Sequence, residues 1–445
     1  MRCRPGRRPG GRKGAFVPVS CYNIVTSEQR VSFPEAVRLG IGRDQGLFLP
    51  TRLQPIEDIP GLLSLSFQQR SARILSHMMG DSVPLDAVQS MVDAAFNFPV
   101  PLVEIHPGRF ALELFHGTSL AFKDFGARFM AQCLGEFHAG GPITILTATS
   151  GDTGAAVAQA FFGQPGIDVI VLYPRGRVTP LQEKLFCTLG GNVRTYAVEG
   201  DFDACQAMVK KAFLDTDLVR RLGLNSANSI NIARLLAQVC YYFEALAQLP
   251  AGAEPVFSVP SGNFGNVTAA LIACALGLPA RRIIAATNAN DTVPRFLVDG
   301  QWAPKATVAT LTNAMDISQP NNFSRVLALG DRHGLNLSEL FRAEALDDEQ
   351  TVQAIRDLYH QHNYYADPHS ALGWRVLDDS LQAGETGVFL CTAHPAKFRE
   401  HVESAIGVSM PLPPALSAVE HERVLSSEIS VDFEAFREQV LLLGR

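Results

Sequence analysis

The chain has 445 residues, of which 47% are hydrophobic and 18% are charged, and its formal net charge is -6. This composition predicts a globular protein of two or more domains, and the mildly acidic balance argues against nucleic-acid binding, which would need a basic face. No apolar run is long enough to span a membrane, and the scattered cysteines show no metal-ligand or redox spacing. We therefore expect a cytoplasmic protein that binds no nucleic acid, membrane or metal.

Residues 1–19 are rich in arginine, glycine and proline and contain no acidic residue. They lack the apolar core of a secretory signal, and their prolines and glycines would break the amphipathic helix of a transit peptide. We expect a disordered basic extension, which a start codon placed too early would explain. Residues 20–108 then predict a mostly helical N-terminal domain, with a capped helix start at 32–37 and an amphipathic helix at 66–75.

An alternation of strands and helices follows. It predicts strands at 143–146, 169–173, 192–198, 256–259, 283–287 and 387–391, and helices at 154–162, 180–189 and 267–276. Such alternation indicates parallel sheets with a cleft at the strand ends, so residues 109–409 are expected to form an α/β core of two lobes. Residues 410–445 are proline-rich and then helical, and we expect them to pack across the lobes.

Lys123 is the most informative residue, because Ala121, Phe122 and Phe125 surround it with apolar side chains. Burial disfavours an ammonium ion, and a neutral lysine is a nucleophile that forms Schiff bases, most commonly with pyridoxal phosphate. Two alternatives remain open from these residues alone. The side chain could reach water from a half-buried helix. Lys123 could also be the lysine of a phosphate-binding loop, although the glycine spacing of that motif is absent.

Two loops between a strand and a helix are candidate anion sites. The first holds Gly262, Asn263, Phe264, Gly265 and Asn266, whose backbone amides would suit the phosphate of the cofactor, although a plain turn would have the same composition.

In the second loop, Ser150 and Thr153 would bind a substrate carboxylate and Asp152 would face the phenolic oxygen of the cofactor. The alternative is a simple N-cap.

Two further candidates follow strand-like segments. Thr392 ends a buried strand and would hydrogen-bond the pyridine nitrogen, or else would satisfy local backbone. Asn228, Ser229 and Arg234 would bind a phosphate on the substrate, because arginine holds phosphate in a bidentate manner. The alternative for this segment is a capped helix with Arg234 in a surface ion pair.

The runs 120–126, 147–156 and 259–265 resemble those of the threonine synthases, most closely the bacterial long form with an extra N-terminal domain. The resemblance extends from about residue 22 to the C-terminus and implies pyridoxal-phosphate fold type II, the tryptophan-synthase-β-like class. It implies that Lys123 carries the cofactor, that 262–266 bind its phosphate and that Thr392 meets its ring nitrogen. Thr118-Ser119 and Asn266 depart from the family pattern but keep its polar capacity.

The resemblance implies conversion of O-phospho-L-homoserine and water to L-threonine and phosphate. A phospho-lyase that releases 2-oxobutyrate from the same substrate is the nearest alternative. A serine/threonine dehydratase would not need the second anion site, and a non-catalytic binding protein on the same fold would not need Lys123. The sequence leaves the oligomeric state open, with a monomer slightly favoured.

Overall fold

The computed structural model describes residues 20–138 and 140–442, so the extension expected at residues 1–19 lies outside the described part of the chain. Within the described part, no helix is both long and apolar enough to cross a membrane. In the same residues, no group of three or more His, Cys, Asp or Glu side chains is arranged to hold a metal ion.

The strands are given first, in chain order. They are β1 (Cys21–Asn23), β2 (Arg30–Val31), β3 (Phe48–Pro50), β4 (Leu102–His106), β5 (Arg109–Glu113), β6 (Ile143–Ala148), β7 (Ile167–Pro174), β8 (Val193–Val198), β9 (Leu224–Asn225), β10 (Val256–Pro260), β11 (Arg282–Thr287), β12 (Phe341–Ala345), β13 (Gly387–Cys391) and β14 (Ser427–Ile429).

The helices connect and cover these strands. They are α1 (Phe33–Leu39), α2 (Ile59–Leu63), α3 (Phe67–Met79), α4 (Leu85–Ala95), α5 (Lys123–Glu136), α6 (Asp152–Phe161), α7 (Pro180–Cys187), α8 (Phe202–Leu214), α9 (Thr216–Leu222), α10 (Ile232–Ala237), α11 (Val239–Gln248), α12 (Gly265–Ala275), α13 (Thr292–Asp299), α14 (Phe323–His333), α15 (Leu337–Leu340), α16 (Asp348–His362), α17 (Pro368–Ser380), α18 (Arg399–Ile406), α19 (Pro414–Ser417) and α20 (Phe433–Leu441).

Two mostly parallel sheets form the core of the molecule. The larger sheet has the order β12-β11-β10-β13-β5-β4, in which only β4 runs antiparallel to its neighbour. The smaller sheet has the order β14-β8-β7-β6-β9 and is parallel throughout. The two-lobed α/β fold predicted from the alternation of strands and helices is therefore confirmed.

The N-terminal part contains the predicted helices together with a small sheet that the sequence did not indicate. The Ser32 hydroxyl accepts a hydrogen bond from the Glu35 amide and caps α1, and a capping box opens α3. Strands β1, β2 and β3 pair in antiparallel fashion beside these helices. Each has only two or three residues, too few to show the alternating pattern that identifies a strand.

Segments at the ends of the expected domains take part in the two large sheets. Strand β4 precedes the expected boundary at 108/109 yet pairs with β5 in the larger sheet, so we propose that the N-terminal unit ends before β4. The C-terminal segment adds β14 to the edge of the smaller sheet. Its last helix, α20, then packs on α8 and α9.

Every candidate site segment begins where a parallel strand ends. In the larger sheet, β5 leads to Lys123, β10 leads to the loop at 261–264, and β13 leads to Thr392. In the smaller sheet, β6 leads to Ser150 and β9 leads to the segment that contains Arg234. Parallel strands place their carboxyl ends at one edge of a sheet, which is where ligands bind in folds of this class.

Candidate active site

Lys123 is the first residue of α5, and a tight turn places it there. Leu120, three residues earlier, has a positive φ of 56°, a backbone conformation that residues other than glycine rarely adopt. The Phe122 amide donates to the Thr392 carbonyl at 2.9 Å, which ties this turn to the end of β13. The turn therefore fixes Lys123 beside Thr392, a residue far away in sequence.

The chemistry of Lys123 follows from its surroundings. Burial lowers the pKa of its amine to about 8; Asp152 acts in the opposite direction, and the positive charges of Lys397 and Arg234 lower it further. The Lys123 Nζ lies 3.9 Å from the Asp152 Oδ2. With a pKa of about 8, roughly a tenth of the amine is neutral at pH 7, against less than a thousandth at the ordinary value.

Asp152 opens helix α6, two residues before the helix start that the sequence predicted. Its Oδ1 lies 2.6 Å from the Lys397 Nζ and accepts a hydrogen bond from the Gln182 Nε2 at 2.9 Å. Burial by itself would raise the pKa of the Asp152 carboxyl, but Lys397 and Lys123 outweigh burial and hold that pKa below its ordinary value. Asp152 is therefore a fixed negative charge in front of Lys123.

The loop after β10 presents unpaired backbone donors at the start of α12. Among the described residues, none accepts a hydrogen bond from the backbone amides of residues 262–266. Helix α12 begins at Gly265, earlier than predicted, so these amides lie at its positive end. Five consecutive donors at a helix N-terminus suit a phosphate group.

Close packing fixes the shape of this loop. A Cβ on Gly262 would lie 2.5 Å from the Cα of Met315, so only glycine fits there. Phe264 adopts the left-handed region with φ 59° and ψ 16°. The Asn266 side chain is turned inward, since its Oδ1 accepts from the Ser261 hydroxyl at 2.6 Å and its Nδ2 donates to the Pro260 carbonyl at 2.7 Å. Asn266 thus offers its backbone amide, while its side chain is used within the loop.

Asn263 joins the loop to the segment predicted to bind substrate. Its Nδ2 donates to the Ser229 Oγ at 2.6 Å, and its carbonyl accepts from the Asn322 Nδ2 at 3.0 Å. The neighbouring Asn228 accepts a hydrogen bond from the Thr147 Oγ1 at 2.7 Å. Ser229 therefore lies against the cofactor-phosphate candidate, and Asn228 lies against the end of β6.

Arg234 lies in α10, which packs closely against α5. A Cβ on Gly126 would lie 2.9 Å from the Arg234 carbonyl, so the two helices approach to backbone contact. The Arg234 side chain is 4% exposed and its guanidinium donates to the Ala227 carbonyl, while its Nε has no hydrogen-bond partner among the described residues. Burial lowers its pKa to about 10, against the opposing charge of Asp124. The surface ion pair considered from sequence is absent from the described residues.

Thr392 is backed by a buried polar chain. Its amide donates to the Ser370 Oγ at 3.1 Å, and the Ser370 hydroxyl donates in turn to Asp367. The Nδ1 of His369 lies 2.6 Å from the Asp367 Oδ1, and the His369 Nε2 is buried without a partner among the described residues. Among residues 20–138 and 140–442, none forms a hydrogen bond with the Thr392 hydroxyl, so this group is available to a ligand.

Ser150 and Thr153 flank the start of α6. The Thr149 Oγ1 accepts hydrogen bonds from the Gly151 and Gly154 amides at 2.9 and 2.7 Å, so Thr149 supplies the cap that the sequence assigned to Ser150 or Asp152. No described residue forms a hydrogen bond with the hydroxyls or amides of Ser150 and Thr153. These groups are donors for an anion at the helix start.

Sequence reasoning missed two buried cations at the site. Lys397 contacts Asp152, as described above. Arg325 is fully buried; its Nε donates to the Phe48 carbonyl at 3.0 Å and its guanidinium to the Asn322 Oδ1 at 2.6 Å. Arg325 thereby supports Asn322, which holds the carbonyl of Asn263.

Comparisons with known proteins identify the family of the chain. The model described as "Pyridoxal-phosphate dependent enzyme" matches residues 99–392, "Threonine synthase N terminus" matches 24–96, and "Threonine synthase, C-terminal" matches 370–440. A threonine synthase of Haemophilus influenzae is 54% identical over 95% of this chain and 100% of its own length. One of Escherichia coli is 55% identical over 94% of this chain and 99% of its own length. The chain belongs to the threonine synthase family.

Solved structures of the family superpose closely on the chain. The crystal structure of threonine synthase from Escherichia coli has a TM-score of 0.91 at 55% identity and covers 95% of this chain and 100% of its own. A pyridoxal-phosphate-bound threonine synthase from Brucella melitensis has a TM-score of 0.90 at 33% identity and covers 96% and 100%.

The residues of this threonine synthase family member fit the cofactor of the family. Pyridoxal phosphate needs an amine that is readily neutral, donors for its phosphate and a partner for its ring. The chain supplies Lys123, the unpaired amides of 262–266 and the Thr392 hydroxyl at the ends of three strands of one sheet. The donor set therefore matches the three parts of the cofactor.

Proposed function

We propose that the chain is a threonine synthase that converts O-phospho-L-homoserine and water to L-threonine and phosphate, with pyridoxal phosphate attached to Lys123. The supporting observation is the pairing of a buried lysine of lowered pKa with two separate sets of anion donors. One set is the amides of 262–266, and the other lies at Arg234. A phosphorylated substrate on a phosphorylated cofactor requires two such sites.

The residues divide between cofactor and substrate in this proposal. The backbone of 262–266 holds the cofactor phosphate, with Asn263 keeping the loop in place. Thr392 donates to or accepts from the ring nitrogen, and Asp152 faces the phenolic side of the ring. When bound, pyridoxal phosphate supplies an electron sink that stabilises negative charge on the substrate carbons.

The chain's own groups then bind substrate and move protons. Ser150 and Thr153 hold the substrate carboxylate with the free donors at the start of α6. Arg234 and the polar groups of Asn228 and Ser229 bind the phosphate that leaves from the γ-carbon. The neutral Lys123 amine, beside the bound substrate, would accept the proton of the α-carbon. The overall reaction also requires the β-carbon to lose a proton and the γ-carbon to gain one as the phosphate departs. Water then supplies the hydroxyl of the β-carbon, and a proton returns to the α-carbon.

Product analysis tests the proposal. The purified chain, supplied with pyridoxal phosphate, should release one threonine for each inorganic phosphate from O-phospho-L-homoserine. Release of phosphate with 2-oxobutyrate and without threonine would contradict the proposal and favour the phospho-lyase. If the chain carries the cofactor and binds the substrate but does not convert it, the result would instead indicate a binding protein. The cytoplasm remains the proposed location, and a monomer the proposed state.

A further inference from the structure

Lys397 is a second lysine at the centre of the site, and the proposed mechanism gives it no task. It lies in the 3-10 helix Pro395–Phe398, just after Thr392. Its side chain has 0% exposure, and its Nζ lies 2.6 Å from the Asp152 Oδ1 and 2.8 Å from the Ser119 carbonyl oxygen. A lysine is almost never fully buried unless it is paired, so this arrangement calls for a reason.

The contacts of Asp152 divide between its two oxygens. Oδ1 is held by Lys397 and by the Gln182 Nε2 at 2.9 Å. Oδ2 faces the Lys123 Nζ at 3.9 Å. Because Oδ1 is fixed from behind, the carboxylate cannot rotate or withdraw from Lys123 without breaking a buried ion pair. The order of groups is thus Ser119, Lys397, Asp152, Lys123.

The charges around Lys123 leave an excess of positive charge. Asp152, Lys397 and Arg234 act on Lys123 directly, and His369 acts on Asp152 from α17. Asp152 lies between the two ammonium groups, and the Asp124 carboxylate faces Lys397 and Arg234 as a second negative charge. Two carboxylates therefore oppose three cations, which leaves a net positive charge. The Lys397 side chain is completely buried, and its ammonium group contacts the Asp152 carboxylate and the Ser119 carbonyl. The Lys123 side chain, in contrast, is 14% exposed. Lys123 is therefore the amine that releases its proton.

We propose that Lys397 is a positioning residue that holds the Asp152 carboxylate in front of the Lys123 amine and keeps a second positive charge beside it. The proposal deepens the proposed function, because it concerns the amine to which we assign the cofactor. Lys397 acts through Asp152 and makes no contact with the substrate in this proposal.

The test measures the protonation of Lys123 in the full chain freed of cofactor. Acetic anhydride labels neutral amines, and peptide mass spectrometry follows the labelling of Lys123 across a pH series. Lys305, whose side chain is 66% exposed, serves as the internal reference. The wild-type midpoint should lie near pH 8, the pKa to which burial lowers Lys123.

Lys397→Gln keeps a donor and removes the charge, so the midpoint of Lys123 should rise. The Nζ atoms of Lys397 and Lys123 contact opposite oxygens of one carboxylate, at 2.6 and 3.9 Å, and so lie within about 9 Å of each other. Coulomb's law at an effective dielectric constant of about 20 then gives a rise of about 1.3 pH units. Labelling of Lys123 at pH 8 should then fall roughly tenfold. Lys397→Arg keeps the charge and should restore the wild-type midpoint.

Lys184→Gln is the matched control, because Lys184 also donates to backbone carbonyls, those of Glu420 and Glu422, but touches no site residue. Its midpoint for Lys123 should equal the wild-type value. A folded Lys397→Gln protein with an unchanged midpoint would overturn the proposal. Should neither Lys397 variant fold, Asp152→Asn decides: a lower midpoint supports the arrangement, and an equal or higher one overturns it. Threonine production does not enter this assay, so its outcome is separate from that of the proposed function.

Discussion

Gly262→Ala gives a sharp test of the phosphate loop. The added Cβ would lie 2.5 Å from the Cα of Met315 and 3.0 Å from its carbonyl carbon and oxygen, whereas ordinary contacts are 3.4 Å or longer. The loop must therefore move by about 1 Å, because Met315 presents backbone that cannot turn aside. We expect the N–H groups of 262–266 to lose their alignment toward the phosphate.

The size of the effect follows from the hydrogen bonds at risk. A hydrogen bond to a charged group contributes about 1.5–3 kcal/mol, so the loss of one such bond would weaken pyridoxal-phosphate binding roughly 10- to 100-fold. Binding is measured by titrating the cofactor-free chain and following the visible absorbance. Pyridoxal, which lacks the phosphate, should bind the variant and the wild type equally well.

Gly135→Ala is the control for the methyl group itself. Gly135 lies within α5, and a Cβ there would meet no heavy atom within 4 Å. Alanine in a helix is up to about 1 kcal/mol more favourable than glycine, so this variant should bind as the wild type does. The reasoning is refuted if folded Gly262→Ala binds pyridoxal phosphate within threefold of the wild type, or loses pyridoxal to the same degree.

Three further substitutions test other parts of the site. Arg234→Ala should lower kcat/KM for O-phospho-L-homoserine about 10- to 100-fold, because a charged hydrogen bond to the substrate is lost, while the affinity for pyridoxal phosphate stays within threefold. Steady-state kinetics and a cofactor titration that show equal losses of kcat/KM and of cofactor affinity would contradict the assignment. Thr392→Val keeps the shape and the backbone contact with Ser370 but removes the hydroxyl, so cofactor affinity should fall about 3- to 10-fold; an unchanged titration would exclude the hydroxyl. Arg325→Met should lower both the melting temperature and the affinity for pyridoxal phosphate, because Asn322 loses its support. Arg332→Met is the control on the same helix, because Arg332 donates to the Ile24 carbonyl at the surface, and it should change neither the melting temperature nor the cofactor affinity. Equal effects of Arg325→Met and Arg332→Met would contradict the role of Arg325.

Two parts of the site follow from strands that the sequence predicts. The loop at 262–266 and Thr392 each come after an apolar run that reads as a strand, and parallel strands bring their ends together. Lys123 is indicated instead by its own apolar neighbours, because the sequence does not predict β5. The helix starts differ from those that the sequence predicts, because α6 begins at Asp152 and α12 at Gly265 rather than two residues later. A polar residue in a first helical turn looks like a loop residue in sequence.

The residues that the sequence did not identify act through contacts across the fold. Lys397 meets Asp152 over 245 positions of sequence, and Arg325 meets Phe48 over 277. One signal for Lys397 was present, since Ala396 and Phe398 flank it with apolar side chains just as Ala121 and Phe122 precede Lys123. Arg325 follows a polar run and carried no such signal, because its burial depends on the N-terminal sheet.

The attachment of the cofactor to Lys123 is the central claim, and one experiment addresses it directly. The purified chain is loaded with pyridoxal phosphate, reduced with borohydride, digested, and its peptides are sequenced by mass spectrometry. We predict that the reduced cofactor is found on Lys123, and that Lys123→Ala carries none while remaining folded. A label on Lys397 or on any other lysine, or a visible spectrum that Lys123→Ala leaves unchanged, would contradict the account.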